Sequence, residues 1–167
     1  MISIAATDKN WGIGKNNRMP WKIPAEQRFF REKTYGKTIV MGRRTLESLP
    51  GGKPLEGRRN IIMTRNENLS IPGIETARSP EELLSLIHGL DPDDVFVIGG
   101  AQIYRLLIPY CEKALITKIN GIYDVDSHHP DLDSDPNWRI ASVLPEVIGP
   151  GGVSYAVHLY ENRFFLG

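Results

Sequence analysis

The chain has 167 residues, 41% of them hydrophobic, and its 20 Lys and Arg balance 20 Asp and Glu to a formal net charge of zero at pH 7. This fits one folded domain spanning residues 1–167 and argues against nucleic acid as the main partner. No apolar run approaches the ~20 residues needed to cross a bilayer, Met1-Ile2-Ser3 opens no signal peptide, and the lone Cys111 excludes an intramolecular disulfide or a cysteine-built zinc site, so a cytoplasmic protein is expected.

Met1–Ala6 is a short apolar run that reads as a buried strand, and it leads into a polar loop bracketed by Gly12 and Gly14. Met19-Pro20-Trp21 follows, and Pro24 starts a helix with Glu26 in its first turn. Lys37–Met41 is a β-branched strand broken by Gly42, and a short helix opens at Arg43 and runs through Glu47. Pro50–Pro54 is a loop, and Arg59–Thr64 is the next strand. Ser79-Pro80-Glu81-Glu82 has the form of a capping box, which predicts a helix from Pro80 to about His88. After the Asp91–Asp94 loop, Val95–Ile98 is a fully apolar strand, ended by Gly99-Gly100, with a helix from Ala101 to Leu107. Lys113–Asn120 reads as a strand and Tyr123–Asp135 as a long acidic loop. Trp138–Leu144 and Val153–Phe164 read as strands of an antiparallel hairpin turned at Gly149–Gly152. The expected fold is α/β, a central mostly parallel twisted sheet flanked by helices and ending in an antiparallel C-terminal hairpin.

Glu26 shares a helix face with Phe29 and Phe30, three and four positions on. Taken alone it is a helix-start acid favoured by the macrodipole; against aromatics it is also a carboxylate that is expensive to bury. Two strand-to-helix turns, Met41–Thr45 and Ile98–Gln102, have the form that offers backbone N–H groups to phosphate, although neither matches a dinucleotide or P-loop fingerprint. Arg43, Arg44, Arg65 and Arg78 lie at or just beyond strand ends, where planar guanidinium groups suit phosphate, and any one of them also reads as a solvated surface residue. Ala6, Met41, Thr64 and Ile98 close parallel strands, so both turns should border one crevice.

Met-Pro-Trp-Lys-Ile-Pro-Ala-Glu-Gln-Arg-Phe-Phe at positions 19–30 resembles the signature of dihydrofolate reductases. The Gly-Arg-x-Thr turn at 42–45, Leu55–Asn60, Ile98-Gly-Gly100, Thr117 and Asp126–Asp131 are similar to further motifs of that family, in its order. The resemblance implies reduction of 7,8-dihydrofolate to 5,6,7,8-tetrahydrofolate by NADPH, with hydride passing to C6 and a proton to N5. It makes Glu26, Trp21, Thr117 and Tyr104 the catalytic set, with Thr117 hydrogen-bonded to the Glu26 carboxylate. Ile4, Ala5, Phe30, Leu49, Leu55 and Ile98 would line the pterin pocket, and Arg58 would pair with the substrate's glutamate tail. NADPH would lie along Ala6, Ile13, Gly14, Met19, Gly42, Arg43, Arg44, Thr45, Met63, Thr64, Arg65, Arg78 and the segment Ile98, Gly99, Gly100, Ala101, Gln102, Ile103, Tyr104, with a cis peptide between Gly99 and Gly100. Residues 12–21 would act as a lid, and antifolate inhibitors would compete at the pterin pocket.

Glu56 and His129 depart from the proline and phenylalanine usual in the family. His128 and His129 lack a third ligand at convincing spacing, so the expectation is a solvent-exposed pair and no metal. No interface patch is legible, and a monomer is the default. The alternatives weighed are a pterin- or pyrimidine-directed reductase of the same fold, a non-catalytic nucleotide-binding module and an interaction protein. The Met-Pro-Trp…Glu helix and the glutamate-tail arginine that the resemblance implies speak against the first, the acid on an aromatic face beside a lid against the second, and the lack of an exposed repeat, charge run or coiled-coil pattern against the third.

Overall fold

The computed structural model describes residues 1–166. Along the chain run β1 (Ile2–Thr7), β2 (Gly12–Gly14), α1 (Pro24–Thr34), β3 (Thr38–Gly42), α2 (Arg43–Ser48), β4 (Arg59–Met63), β5 (Ile74–Ala77) and α3 (Pro80–Leu86). They are followed by β6 (Val95–Gly99), α4 (Ala101–Leu107), β7 (Lys113–Ile119), β8 (Ser127–His128), β9 (Trp138–Val143), β10 (Val147–Ile148) and β11 (Ser154–Asn162). The 9-stranded sheet has the order β10-β11-β7-β1-β6-β3-β4-β5, with β9 also paired to β11. From β5 to β7 every pairing is parallel, and β11 closes the sheet antiparallel to β7.

Parallel strands are covered on both faces, which explains why β3 and β6 are almost wholly apolar runs and why β4 ends in Ile61-Ile62-Met63. Ile2, Ile4, Ile39, Met41, Ile62 and Phe96 pack in the cluster of one face, and Val40, Ile61, Val95, Val97, Ala114 and Ile116 in that of the other. Pro24 begins α1 without a side-chain cap, whereas Ser79 accepts the Glu82 amide at 3.1 Å to begin α3, as the capping box predicts. Because the parallel strands point one way, Thr7, Gly42, Met63 and Gly99 end along one rim of the sheet. That rim is where ligands of open α/β sheets bind.

The sheet departs from the expected elements at its short strands. The outer strand of the C-terminal hairpin is broken around Pro145: β9 pairs with residues 158–162 of β11, β10 pairs with its start, and the glycine turn joins β10 to β11. Ile74–Ala77 forms an unforeseen edge strand beside β4. The acidic stretch expected to be a plain loop contains β8, which pairs antiparallel with β2. Each is only two to four residues long, too short for hydrophobic periodicity to register.

Candidate active site

Glu26, in the first turn of α1, is 8% exposed. No hydrogen bond or salt bridge among the described residues reaches its carboxylate, and burial pushes its pKa up to about 7. It lines a cavity of about 440 Å³ together with Thr117 of β7. Register places Thr117 opposite Ala6 on β1 and Val157 on β11, so its side chain shares a sheet face with theirs. The expected hydrogen bond between Thr117 and Glu26 is not formed; the two groups meet only across this cavity. The far wall is built from Leu144, Pro145, Val147, Tyr155 and Val157, which carry no motif of their own and reach Glu26 only because β11 lies against β7.

Trp21 is buried, stands 5.3 Å from the Tyr123 ring, and has an indole N–H with no protein partner. That N–H is the kind of donor a bound polar group or ordered water satisfies. Tyr104, buried on α4, donates its hydroxyl to the Ile4 carbonyl at 2.7 Å. Burial first, and the Glu26 charge second, push its phenol up.

Phe30, Leu49, Leu55 and Ile98 are half-buried and pack against the cluster holding Ile2 and Ile4. They form an apolar wall on the α1 side of the sheet, while Ala5 packs toward the opposite cluster. Arg58 is held by neutral acceptors: Nε donates to Thr34 Oγ1 at 2.9 Å and a terminal nitrogen to the Glu56 carbonyl at 2.7 Å. It makes no ion pair among the described residues, and partial burial, then Arg31, lower its pKa. A fixed guanidinium without a counterion is prepared for a carboxylate.

At the rim, Gly42 is closed to any side chain, because a Cβ there would meet Ile103 Cγ1 at 2.9 Å. Gly99 has φ of +120°, and the peptide to Gly100 is cis. α2 and α4 both start without a side-chain cap, which leaves their first amides without a side-chain acceptor. Thr45 is half-buried beside Gly100, while Ala101 and Ile103 are half-buried and Gln102 exposed. The arginines divide: Arg78 is paired with Glu67 and Glu82, Arg43 stands 3.5 Å from Glu47, and Arg44 and Arg65 have no acidic partner among the described residues. Met63 is buried and Thr64 half-buried at the neighbouring strand end. Bare amides, free guanidinium groups and glycines that admit close approach fit a phosphate-bearing ligand.

The loop of residues 12–21 reaches this rim. Asn17 Nδ2 donates to the Arg44 carbonyl at 2.7 Å, the Asn16 amide to Asp126 at 3.0 Å, and Lys15 pairs with Asp124. Ile13 and Gly14 lie at its root and exposed Met19 near its end.

His129 corrects the expectation of an exposed histidine pair. His128 is exposed, but His129 is 2% exposed, and burial lowers its pKa to about 4 against a hydrogen bond donated to the Pro130 carbonyl that raises it. The resemblance offered a signal, because it implies phenylalanine at this position, and Leu132, three residues on, is buried too.

Together these features define an α/β domain with a ligand site at its sheet rim, where one buried acid lies between an apolar wall and a glycine-lined edge suited to phosphate. The family model for dihydrofolate reductase matches residues 1–146. A dihydrofolate reductase of Neisseria gonorrhoeae is 40% identical over 160 residues, covering 96% of both chains. One of Bacillus subtilis is 40% identical over 143 residues, covering 85% of this chain and 82% of its own. The solved dihydrofolate reductase from Enterococcus faecalis, complexed with NADP(H) and RAB-propyl, superposes with a TM-score of 0.84 at 28% identity, over 97% of this chain and 95% of that one. The chain belongs to the dihydrofolate reductase family.

Proposed function

We infer that the protein reduces 7,8-dihydrofolate to 5,6,7,8-tetrahydrofolate with NADPH, as a single domain. The observation that carries this reading is Glu26, an acid with no protein partner, buried beside half-buried aromatics and held near neutrality. The relatives' identity as dihydrofolate reductases, and the NADP(H) bound to the Enterococcus faecalis enzyme, support it. NADPH, when bound, supplies the hydride for C6 of the pterin.

Glu26 accepts hydrogen bonds from the pterin 2-amino group and N3, which orients the ring and recovers the partner its carboxyl lacks. Its negative charge also favours a proton at N5, which arrives through water near the Trp21 indole. Phe30, Leu49, Leu55 and Ile98 enclose the ring, the backbone at Ile4 and Ala5 forms the floor, and Arg58 takes the α-carboxylate of the glutamate tail. Gly42, Thr45, Gly99, Gly100 and Ala101 receive the pyrophosphate, and Arg44 and Arg65, with Arg43, read the 2′-phosphate. Arg78 contributes less, because two carboxylates already neutralise it. Residues 12–21 close over the site and exclude water.

Antifolates compete with dihydrofolate at the pterin wall. No helix among the described residues is long and apolar enough to cross a membrane, and we take the protein to act as a cytoplasmic monomer. The test is the fall in NADPH absorbance on mixing with dihydrofolate, with NADH in parallel. A fast, dihydrofolate-dependent fall that prefers NADPH is expected. Tight NADPH binding without turnover assigns the site a different heterocycle.

A further inference from the structure

His129 is a buried titratable side chain that the reaction above does not use. Its ring lies between Trp11 and Tyr104, with centroids 5.6 Å and 4.6 Å away. Both ring nitrogens are engaged, Nε2 at 2.9 Å from Ser3 Oγ and Nδ1 at 2.8 Å from the Pro130 carbonyl. A carbonyl can only accept, so Nδ1 carries the proton and Nε2 accepts from the Ser3 hydroxyl, which selects one neutral tautomer. The backbone of His129 is tied as well, its N–H donating to the Trp11 carbonyl at 2.8 Å.

The partners make this more than a filled space. Ser3 and Ile4 are adjacent on β1; His129 holds the first, and Tyr104, whose ring rests on His129, holds the carbonyl of the second. The circuit Ser3–His129–Tyr104–Ile4 therefore begins and ends on the strand that floors the pterin pocket. Trp11 joins it to the lid, because β2 starts at the next residue. Shifting the His129 ring displaces Tyr104 and the lid root together.

We propose that His129 is a positioning residue for hydride transfer, its buried ring, packed between Trp11 and Tyr104, fixing Tyr104 and the root of the lid against β1. This rests on the dihydrofolate-reducing reading above. A purely structural ring would affect unfolding alone; a positioning ring acts on the rate of the folded enzyme. It acts there selectively, because His129 lines neither the pterin wall nor the phosphate rim.

Single-turnover hydride transfer, compared between NADPH and its 4-deuterated form, reads this directly. His129→Ala is expected to slow the isotope-sensitive step at least tenfold while the dihydrofolate KM and the NADPH Kd stay within threefold. His129→Phe keeps a ring but leaves the Ser3 hydroxyl, itself 0% exposed, without its acceptor, so an intermediate loss is expected. Adding Ser3→Ala removes the orphaned hydroxyl and should return the rate to within threefold of wild type. If His129→Ala does not fold, the Phe variant and its Ser3→Ala rescue decide alone. A folded Ala variant with the wild-type single-turnover rate overturns the proposal, as does a double variant no faster than His129→Phe. Wild-type protein without dihydrofolate-dependent turnover overturns the functional reading instead.

Discussion

A carboxyl in the first turn of a helix ordinarily sits in water, where the macrodipole keeps it ionised at small cost. Glu26 has neither bulk water nor a partner, and its pKa rises from 4.5 to about 7. Between these values the folded state binds the proton that the unfolded state has released, so stability falls as pH rises through this window and reaches its lowest level above about pH 7. The shift corresponds to at most about 3 kcal/mol, less where solvent in the adjoining cavity hydrates the carboxylate. Glu26→Gln should therefore raise the thermal midpoint by about 2–8 °C at about pH 8 and leave it nearly unchanged at about pH 4. The same substitution should lower kcat/KM at least a hundredfold. Calorimetry and turnover on one preparation check both, and a variant that is active, or no more stable at high pH, removes Glu26 from this role. Part of this residue was legible in advance: an acid followed by two aromatics on one face signals a conflict between burial and charge. Its rear cavity was not, because Tyr155 and Val157 lie more than a hundred positions away and meet it only through strand pairing.

The elements that position ligands are turns and short strands, and here legibility in the sequence was uneven. β3, β6 and the glycines that end them announce themselves, because buried parallel strands are continuous apolar runs closed by a residue that can turn sharply. β2 and β8 carry no such pattern, yet their pairing anchors the loop of residues 12–21. A second signal is arithmetic rather than pattern: four arginines stand near the rim, but charge pairing sorts them only once the carboxylates Glu47, Glu67 and Glu82 are placed in space. Arg44→Ala should thus cut the preference for NADPH over NADH about tenfold or more, and Arg78→Ala should shift it less than threefold. Parallel kcat/KM measurements with the two cofactors test the pair; equal losses would show that the Glu67 and Glu82 contacts give way on binding. The lid makes its own prediction. Asn17→Ala deletes the hydrogen bond to the Arg44 carbonyl, which is worth about 0.5–1.5 kcal/mol. NADPH affinity should then weaken about twofold to tenfold, with little change in thermal stability because residues 15–20 are exposed. Stopped-flow release of NADPH separates that outcome from a lid that does not touch the cofactor side.

At the scale of the whole molecule, the central sheet joins strands far apart in sequence, β1 with β6 and β7 and β7 with β11, so its core rests on long-range pairings. Cys111 sits where those distant parts converge. Its side chain is 0% exposed, its Sγ lies 3.4 Å from the Leu107 carbonyl, and its own carbonyl accepts from Asn162 Nδ2 at 3.0 Å at the end of β11. The Asn162 amide, donating to Glu112, and the Leu166 amide, donating to Pro109, clamp the C-terminal strand over the same turn. Burial also pushes the thiol up to about 12, so the nucleophilic thiolate is scarce even at mildly alkaline pH. Position in the sequence gave no hint of this, since a lone cysteine reads equally as buried or reactive until β11 is laid beside β7. Two barriers, access and ionisation, thus fall together only when the sheet opens. An aromatic disulfide reagent should label native protein far more slowly than unfolded chain, and the labelling free energy should decline with denaturant at the slope of global unfolding. A much shallower slope would mean that β11 detaches on its own, leaving the parallel strands as a separately stable unit.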